Sequence, residues 1–393
     1  MPDTTIRKIG SSANEAISFY LSAVLQLQKI LIVTAVVSTV VSCAIRPGPV
    51  RKLEGHNVHL VKKDTLVKSN GRATGNVQLL YLGSGGVLLI RNGAALLIDP
   101  FFSHQRFGRI GRSIFLGKEG ARNIKPDQRL IKIGTETIRS ALGDSIELKA
   151  MLVAHSHYDH LMDVPALSTN FGNEIPILLN QTGYNICHLV LDSSKVSVLE
   201  DRMTTGETLK DPFIIPQGDS LSIHIWPILA DHNPHFRHVK FFSGERARPI
   251  GELDHPLKKT RANLWLEGNT FSFLIDFVKV DGSIDYRIFV QSSSCNPPAG
   301  IPPAELLSRP ADLAILGVVS YQFSPEYPCA QIDKLAPDEI IWVHWEDFFR
   351  KYTRKPKTVR GTDIPGFFKL PCVNEHSTRG TLLWPRTTIE FVY

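Results

Sequence analysis

The 393-residue sequence lacks several features that would assign it to a special class of protein. It has no internal repeat, no low-complexity tract, no long flexible linker, and no series of long apolar runs such as a polytopic membrane protein needs. Its 44 Lys and Arg residues against 38 Asp and Glu give a net charge of only +6, with no dense basic run, so no nucleic-acid partner is expected. With 43% hydrophobic residues, the chain is globular rather than disordered.

The first 42 residues are typical of a targeting segment. Ile30 to Ser42 is apolar and uncharged, and at about 1.5 Å per residue it spans only about 20 Å, less than a bilayer core. A secretory signal fits that length, and Val40 to Cys43 resembles a bacterial lipobox, in which the cysteine is lipidated. An uncleaved anchor helix and a buried helix are the alternatives. We therefore predict a lipoprotein of the bacterial cell envelope, attached to the membrane at Cys43, with its body outside the cytoplasm.

After a lead-in over residues 43–76, residues 77–393 are predicted to form one α/β domain. Apolar runs separated by glycine or Asn-Gly predict strands and hairpins. The predicted strands are 77–83, 87–93, 94–100, 148–154, 175–179, 220–229, 270–278, 287–291 and 339–343. Helices are predicted over Gln181 to Leu191 and Pro302 to Leu307. The stretches 103–125 and 233–261 fit neither pattern, which favours long functional loops or insertions.

Cysteine usage leaves the disulfide pattern open. An oxidising compartment permits disulfides. Four cysteines follow Cys43, and they allow three pairings between which the sequence does not choose. These cysteines are Cys187, Cys295, Cys329 and Cys372.

Residues 155–160, His-Ser-His-Tyr-Asp-His, place three histidines and an aspartate directly after the apolar run Leu148 to Ala154. Neutral imidazole and carboxylate are the ligands of catalytic zinc, at about 2.0–2.2 Å. The alternative is a set of unconnected histidines or an exposed polar tract. Apolar residues on both sides of the cluster disfavour that alternative, so the sequence predicts a metal site.

The pattern His155-x-His157-x-Asp159-His160 resembles the signature of the metallo-β-lactamase superfamily. The resemblance extends from about Val77 to Trp345 and implies a four-layer αββα sandwich with metals at one sheet edge. It implies that Asp99, after the opening hairpin, contacts a metal ligand without binding the metal itself. It also implies that histidines at two later strand ends complete the set. The implied metal ligands are His155, His157, Asp159, His160, His232 and His344.

The sequence departs from the superfamily pattern at Ser292, which stands where an aspartate usually bridges the two metals. With Asp159 and a hydroxide, two divalent ions would keep a charge of +2 instead of +1. Either the second metal binds weakly, or an anionic substrate or another acidic residue, Asp231 or Asp276, compensates. Cys295, three residues further on, is a soft ligand that could contribute instead.

The resemblance implies a hydrolase in which a zinc-activated hydroxide attacks a phosphodiester, ester or lactone bond, with Asp159 orienting the hydroxide and carrying its proton. One or two zinc ions are expected, with manganese or iron as alternatives. Residues 242–246 and 260–265 resemble the branch of ascorbate-6-phosphate lactonases and N-acylphosphatidylethanolamine phospholipases D. The basic loop around them, with His235 and Arg246, is either a solvated surface loop or a lid for an anionic or amphiphilic, phospholipid-like substrate. A non-catalytic metal-binding or scaffold protein is the alternative function.

Overall fold

In a computed structural model of the chain, the described residues are 47–50, 59–69, 75–115, 124–218, 221–235, 239–375 and 380–393. The predicted targeting segment 1–42 and Cys43 lie outside them. The strands are β1 (His59–Val61), β2 (Thr65–Lys68), β3 (Val77–Gly83), β4 (Gly86–Arg91), β5 (Ala94–Ile98), β6 (Glu147–Leu152), β7 (Ile177–Leu179), β8 (Val196–Val198), β9 (Phe213–Gln217), β10 (Leu221–Ala230), β11 (Thr270–Lys279), β12 (Ile284–Gln291), β13 (Leu313–Gly317), β14 (Glu339–Val343), β15 (Gly380–Leu383) and β16 (Thr387–Val392). The helices are α1 (Phe107–Phe115), α2 (Gln128–Leu142), α3 (Tyr158–Leu161), α4 (Val164–Asn170), α5 (Gln181–Cys187), α6 (Cys329–Leu335), α7 (Ile364–Phe367) and α8 (Pro371–Glu375).

The strands form two mixed sheets of eight strands each. One has the order β1-β15-β14-β13-β12-β11-β10-β9, and the other has the order β2-β16-β3-β4-β5-β6-β7-β8. The central strands β4, β5 and β13 are buried along their whole length, so each sheet needs a covering layer on both faces. Apolar residues of both sheets share one core, which leaves the outer faces to helices that connect parallel strands, such as α2 and α6. The predicted fold class, α/β with two large sheets, is confirmed.

Parallel strands bring the chemistry-bearing residues to one edge of each sheet. β10 and β12 both pair antiparallel with β11, and β12, β13 and β14 pair in parallel, so β10, β12 and β14 run in one direction. Their carboxyl ends therefore lie at the same edge, a usual location for binding sites in sheets of this kind. In the other sheet, β5 and β6 are parallel, and each is followed by residues of the predicted site.

The structure corrects several predicted elements. The predicted helix 302–307 is wrong, because Pro302 and Pro303 lack the amide hydrogens that a helix needs, and only a 3₁₀ turn, Leu306–Ser308, forms there. The predicted helix 181–191 ends at Cys187. Part of the stretch 103–125 is the helix α1, whereas the described part of 233–261 has no regular element longer than a 3₁₀ turn.

The lead-in contributes to both sheets, and one disulfide joins two late helices. β1 and β2, at residues 59–68, pair with β15 and β16, and residues 48–393 form one compact unit.

Cys329 and Cys372 form a disulfide between α6 and α8, while Cys187 and Cys295 are buried free thiols. None of the helices within the described ranges is both long and apolar enough to cross a membrane.

Candidate metal centre

The predicted ligands meet in two groups of three, which we call the first and second triads. The first triad is His155, His157 and His232, and the second triad is Asp159, His160 and His344. Within each triad the candidate ligand atoms lie within 4.8 Å of one another. Five of the six residues are buried, and His232 is half-buried. The structure thus brings together all six residues that the sequence singled out.

The loop after β6 presents four candidate ligands because it turns directly into a helix. His157 is the N-cap of α3, and its carbonyl accepts the amide hydrogens of His160 and Leu161 at 3.0 Å. The amide of Ser156 donates to the carbonyl of Glu267 at 2.9 Å, and its hydroxyl donates to the Asn180 side chain. The loop is therefore held on both sides, which fixes the direction of its imidazoles.

Hydrogen bonds from first-triad histidines to backbone carbonyls determine which ring nitrogens are free to bind a metal. His157 Nε2 lies 3.4 Å from the carbonyl oxygen of Phe242, and His232 Nδ1 lies 2.7 Å from the carbonyl oxygen of Asn233. Since a carbonyl only accepts, these nitrogens carry the protons, and His157 Nδ1 and His232 Nε2 keep their lone pairs. His157 Nδ1 lies only 3.1 Å from His155 Nε2.

The second triad has the same organisation, with a carboxylate behind it. His160 Nδ1 lies 3.0 Å from Asp99 Oδ2, and Asp99 Oδ1 accepts the amide hydrogen of Ala154 at 2.8 Å. His160 Nε2 is therefore free and lies 3.9 Å from Asp159 Oδ2, and His344 Nε2 lies 3.7 Å from the same oxygen. Asp99 thus lies beside the His160 nitrogen that faces away from Asp159.

These separations fit a divalent cation in each triad. Tetrahedral ligands at about 2.0–2.1 Å from an ion are about 3.4 Å from one another, and the distances above of 3.1, 3.7 and 3.9 Å bracket that value. Burial, followed by the neighbouring histidines, lowers the pKa of His155, His157, His232 and His344 well below the usual value. These imidazoles are therefore neutral, which is the form that binds metal.

His344 is held in place by a buried network that sequence reasoning missed. Its backbone has a φ of 56°, a left-handed conformation that is unusual for a residue other than glycine. Its amide donates to Tyr81 Oη at 2.9 Å, and the Tyr81 hydroxyl donates to Glu346 at 2.5 Å. Glu346 also accepts the amide hydrogen of Ser84. In the sequence, the available signal was Glu346, an acidic residue two positions after His344 and next to Trp345.

Ser292 lies beside the second triad, and the glycine loop between β3 and β4 packs over it. A Cβ atom on Gly85 would lie 3.4 Å from His344 Cδ2, 3.5 Å from Ser292 Cβ and 3.7 Å from His160 Cε1. The Ser292 hydroxyl is buried and has no hydrogen-bond partner among the described residues. These are ordinary van der Waals distances, and it is the φ of 82° at Gly85 that favours glycine there.

The alternative acidic and sulfur ligands lie outside both triads. Asp231 is paired with Lys240 at 2.5 Å, and Asp276 is paired with Arg287 at 2.7 Å. The Cys295 thiol donates to the carbonyl of Ala299 at 3.2 Å. Thus none of these candidates replaces the missing aspartate.

His235 packs on the first triad, whereas Arg246 contributes to the fold of the loop. The His235 ring stacks on His232 with centroids 4.7 Å apart, and its Nδ1 accepts the amide hydrogen of Phe241 at 3.0 Å. The backbone of Arg246 bonds to Thr182 and Asn185 of α5. Residues 236–238 of this loop lie outside the described residues.

Glu267 is a second residue that the sequence did not indicate. Its backbone accepts the Ser156 amide hydrogen and donates to Phe242, so it connects the ligand loop to the basic loop. Burial raises the pKa of its side chain to about 7, which Lys240 opposes. Its Oε2 is buried without a partner among the described residues.

No family model matches the sequence, and no curated protein matches it. Three of the solved structures with a similar fold are described by their similarity to this chain. Igni18, a metallo-hydrolase from the archaeon Ignicoccus hospitalis, has a TM-score of 0.44 at 13% identity and covers 81% of this chain and 100% of its own. An isothiocyanate hydrolase from Delia radicum gut bacteria has a TM-score of 0.40 at 14% identity, covering 79% and 98%. The metallo-β-lactamase fold protein YhfI from Bacillus subtilis has a TM-score of 0.36 at 11% identity, covering 68% and 86%.

Proposed function

We propose that the protein is a metal-dependent hydrolase that binds one divalent cation in each triad. The observation that carries this proposal is the meeting of six candidate ligands from three parts of the chain, with the outer nitrogens of three histidines facing a backbone carbonyl or a carboxylate. A divalent ion held by three histidines lowers the pKa of its bound water to about 7 and so supplies a nucleophile at neutral pH. Zinc is the first candidate, with manganese and iron as alternatives, because imidazole suits all of these metals.

The residues of this chain have separable roles in the proposed reaction. The histidines hold the cations, and Asp99 keeps the proton of His160 on Nδ1. Asp159 is the one carboxylate in the two triads and is our candidate for accepting a proton during hydrolysis. Burial raises the pKa of the Asp159 carboxyl, and His160 opposes that rise.

We propose a phosphodiester, ester or lactone bond of an anionic or amphiphilic molecule as the substrate. The support is the basic loop, residues 239–261, whose Phe242 carbonyl contacts His157. This loop exposes apolar side chains, Leu253 at 78% and Leu257 at 37%, together with several cations. The exposed cations are Arg248, Lys258 and Lys259, and Lys240, Arg246 and Arg261 are half-buried. Such a surface beside the triads suits a substrate with an oxyanion and an apolar part.

The test is the metal content of the full chain, followed by hydrolysis of bis(p-nitrophenyl) phosphate and of a p-nitrophenyl ester. We expect up to two zinc ions per chain and turnover of at least one substrate. A chelator should abolish that turnover, and added zinc should restore it. A metallated protein that is inert towards a broad panel would favour the non-catalytic alternative, which the serine at position 292 motivates.

We also propose that Cys43 is lipidated and that the body lies in the bacterial cell envelope. The disulfide Cys329–Cys372 supports an oxidising compartment. The substitution Cys43→Ser should move the protein from the membrane fraction to the soluble fraction. An unchanged membrane fraction would favour the uncleaved anchor helix instead.

A further inference from the structure

We propose that Tyr81 and Glu346 are positioning residues that hold His344 at the cation of the second triad and so set the affinity for that cation. This inference rests on the proposed function, because it concerns how tightly one of the two proposed cations is bound. Three observations carry it: the unpartnered outer nitrogen of His344, the left-handed backbone at that residue, and the hydrogen bonds that the Tyr81–Glu346 pair makes on both sides.

The ring of His344 lacks the support that orients three other histidines of the triads. Each of those three has an outer nitrogen that faces a backbone carbonyl or a carboxylate. The outer nitrogen of His344, Nδ1, is buried without a hydrogen-bond partner among the described residues. Its other nitrogen, Nε2, lies 3.7 Å from Asp159 Oδ2. The direction of the ring therefore depends on the backbone of His344 and on the groups packed against it.

The backbone of His344 has a conformation that needs a specific support. His344 is the first residue after β14, and its φ of 56° lies in a region that residues other than glycine seldom occupy. The carbonyls of the residues before and after it accept backbone amide hydrogens at 2.9 and 2.8 Å. The amide of His344 instead donates to a side chain, the hydroxyl of Tyr81, at 2.9 Å. A substitution of Tyr81 can therefore remove this support while the neighbouring backbone bonds remain.

Glu346 fixes the direction in which the Tyr81 hydroxyl donates. Glu346 Oε2 accepts the Tyr81 hydrogen at 2.5 Å, so a lone pair of Tyr81 Oη is left for the His344 amide. The other carboxylate oxygen accepts the amide hydrogen of Ser84 in the glycine loop. In the same loop, a Cβ atom on Gly85 would lie 3.4 Å from His344 Cδ2. The pair therefore holds both the backbone of His344 and the loop that packs against its ring.

Burial makes these hydrogen bonds difficult to replace. Tyr81 is 0% exposed and Glu346 is 2% exposed, so water does not take the place of a bond that is lost there. Without the Tyr81 hydroxyl, the His344 amide has no acceptor and the left-handed turn is free to relax. A ring that leaves its position opposite Asp159 has to be drawn back before it binds the cation, and the affinity falls by that cost.

The test measures cation affinity and ligand geometry in the full chain. Zinc is titrated in competition with a chromophoric chelator, and cobalt(II) is titrated by its visible absorption, which depends on the geometry of its ligands. His344→Ala identifies the second triad as the site whose ion it removes. Tyr81→Phe should lower the affinity of that site about 10- to 100-fold, as for other residues that orient a metal ligand, and should change its cobalt spectrum. The affinity of the first triad should not change.

Tyr286→Phe is the matched control. Tyr286 is as buried as Tyr81, and its hydroxyl is bonded to that of Tyr393 at 2.7 Å. The control should lower the free energy of unfolding of the metal-free protein to a similar degree as Tyr81→Phe. Both cation affinities and the cobalt spectrum should match the wild type, which a merely structural role of Tyr81 would also predict for Tyr81→Phe.

Glu346→Gln tests the second member of the pair. It keeps the shape of the side chain but replaces one of the two acceptor oxygens with a donor, so that the hydrogens of Tyr81 and Ser84 cannot both be accepted. The affinity of the second triad should fall about three- to tenfold, the effect of one buried hydrogen bond. The first triad should again be unaffected.

The outcomes separate this inference from the proposed function. If Tyr81→Phe binds both cations as tightly as the wild type, with the same cobalt spectrum, the inference is wrong while the hydrolase proposal stands. The inference is also wrong if Tyr286→Phe weakens the second site equally, because the effect is then one of general stability. If the wild type binds no divalent cation, the hydrolase proposal itself fails. Should Tyr81→Phe not fold, an unchanged affinity of the second site in Glu346→Gln would contradict the inference.

Discussion

Replacing His232 with alanine should remove one bound zinc ion and lower hydrolysis by at least about a hundredfold, since even loss of a residue that only supports a metal ligand costs about 10- to 100-fold. The His232 ring lies 4.8 Å from the His155 ring and 4.7 Å from the His157 ring, measured between centroids. Without it, the first triad keeps two imidazoles, fewer than the three protein ligands of a catalytic zinc site. The second triad should still bind its ion.

His224→Ala is the matched control because His224 lies on β10, the strand that leads to His232. Its Nε2 lies 2.9 Å from the Ser222 hydroxyl, and its ring lies beside Trp226. Neither contact involves a member of the triads. Zinc per chain, measured by plasma mass spectrometry, and turnover of the better p-nitrophenyl substrate should both match the wild type. A His232→Ala protein with full zinc content and full turnover would contradict the assignment of the first triad.

The grouping of the six candidate residues was predicted from local signals together with the resemblance to the superfamily. Four of them lie within residues 155–160, at the end of one apolar strand. The other two, His232 and His344, each follow a strand by one or two residues, and parallel strands bring such positions to one sheet edge. The strand ends made His232 and His344 candidates, and the resemblance to the metallo-β-lactamase superfamily selected them.

Contacts between residues that are far apart in the sequence could not be predicted from it. His157 donates to the carbonyl of Phe242, which is 85 positions away in the sequence. The His344 amide donates to the hydroxyl of Tyr81, which is 263 positions away. Such partners depend on how the sheets pack, which the pattern of apolar residues does not specify. The loop around Phe242 has no periodicity, so no rule of strand or helix placement applied to it.

The cationic partners of Asp231 and Asp276 were likewise not visible in the sequence. Asp276 looked available in the sequence, but the register of β11 and β12 places it directly opposite Arg287. Asp231, next to a ligand, is paired with Lys240 nine residues later. Whether an acid is free depends on its cationic partner, and that partner is set by strand register and loop conformation. Sequence proximity to a ligand does not determine it.

Asp99→Asn should weaken zinc binding in the second triad by about 10- to 100-fold while leaving the fold nearly as stable, because it disturbs a residue behind a ligand. The asparagine oxygen can still accept the Ala154 amide hydrogen, as Asp99 Oδ1 does at 2.8 Å. Its amide group would then face His160 Nδ1, where Asp99 Oδ2 now lies at 3.0 Å. To accept from that amide, His160 must move its proton to Nε2, the nitrogen that faces Asp159. The lone pair needed by the cation is then lost.

Asp99→Ala separates this tautomer effect from loss of structure. It leaves the Ala154 amide unsatisfied, at a cost of about 1–3 kcal/mol in the free energy of unfolding. It also puts alanine at a φ of 45°, which asparagine tolerates better. Asp285→Asn is the control, since Asp285 pairs with Arg91 at 2.5 Å instead of with a ligand; it should lower stability without changing zinc affinity. Denaturant unfolding and zinc titration of the three variants test the prediction. If Asp99→Asn binds both ions as tightly as the wild type, then Asp99 does not determine which nitrogen of His160 carries the proton.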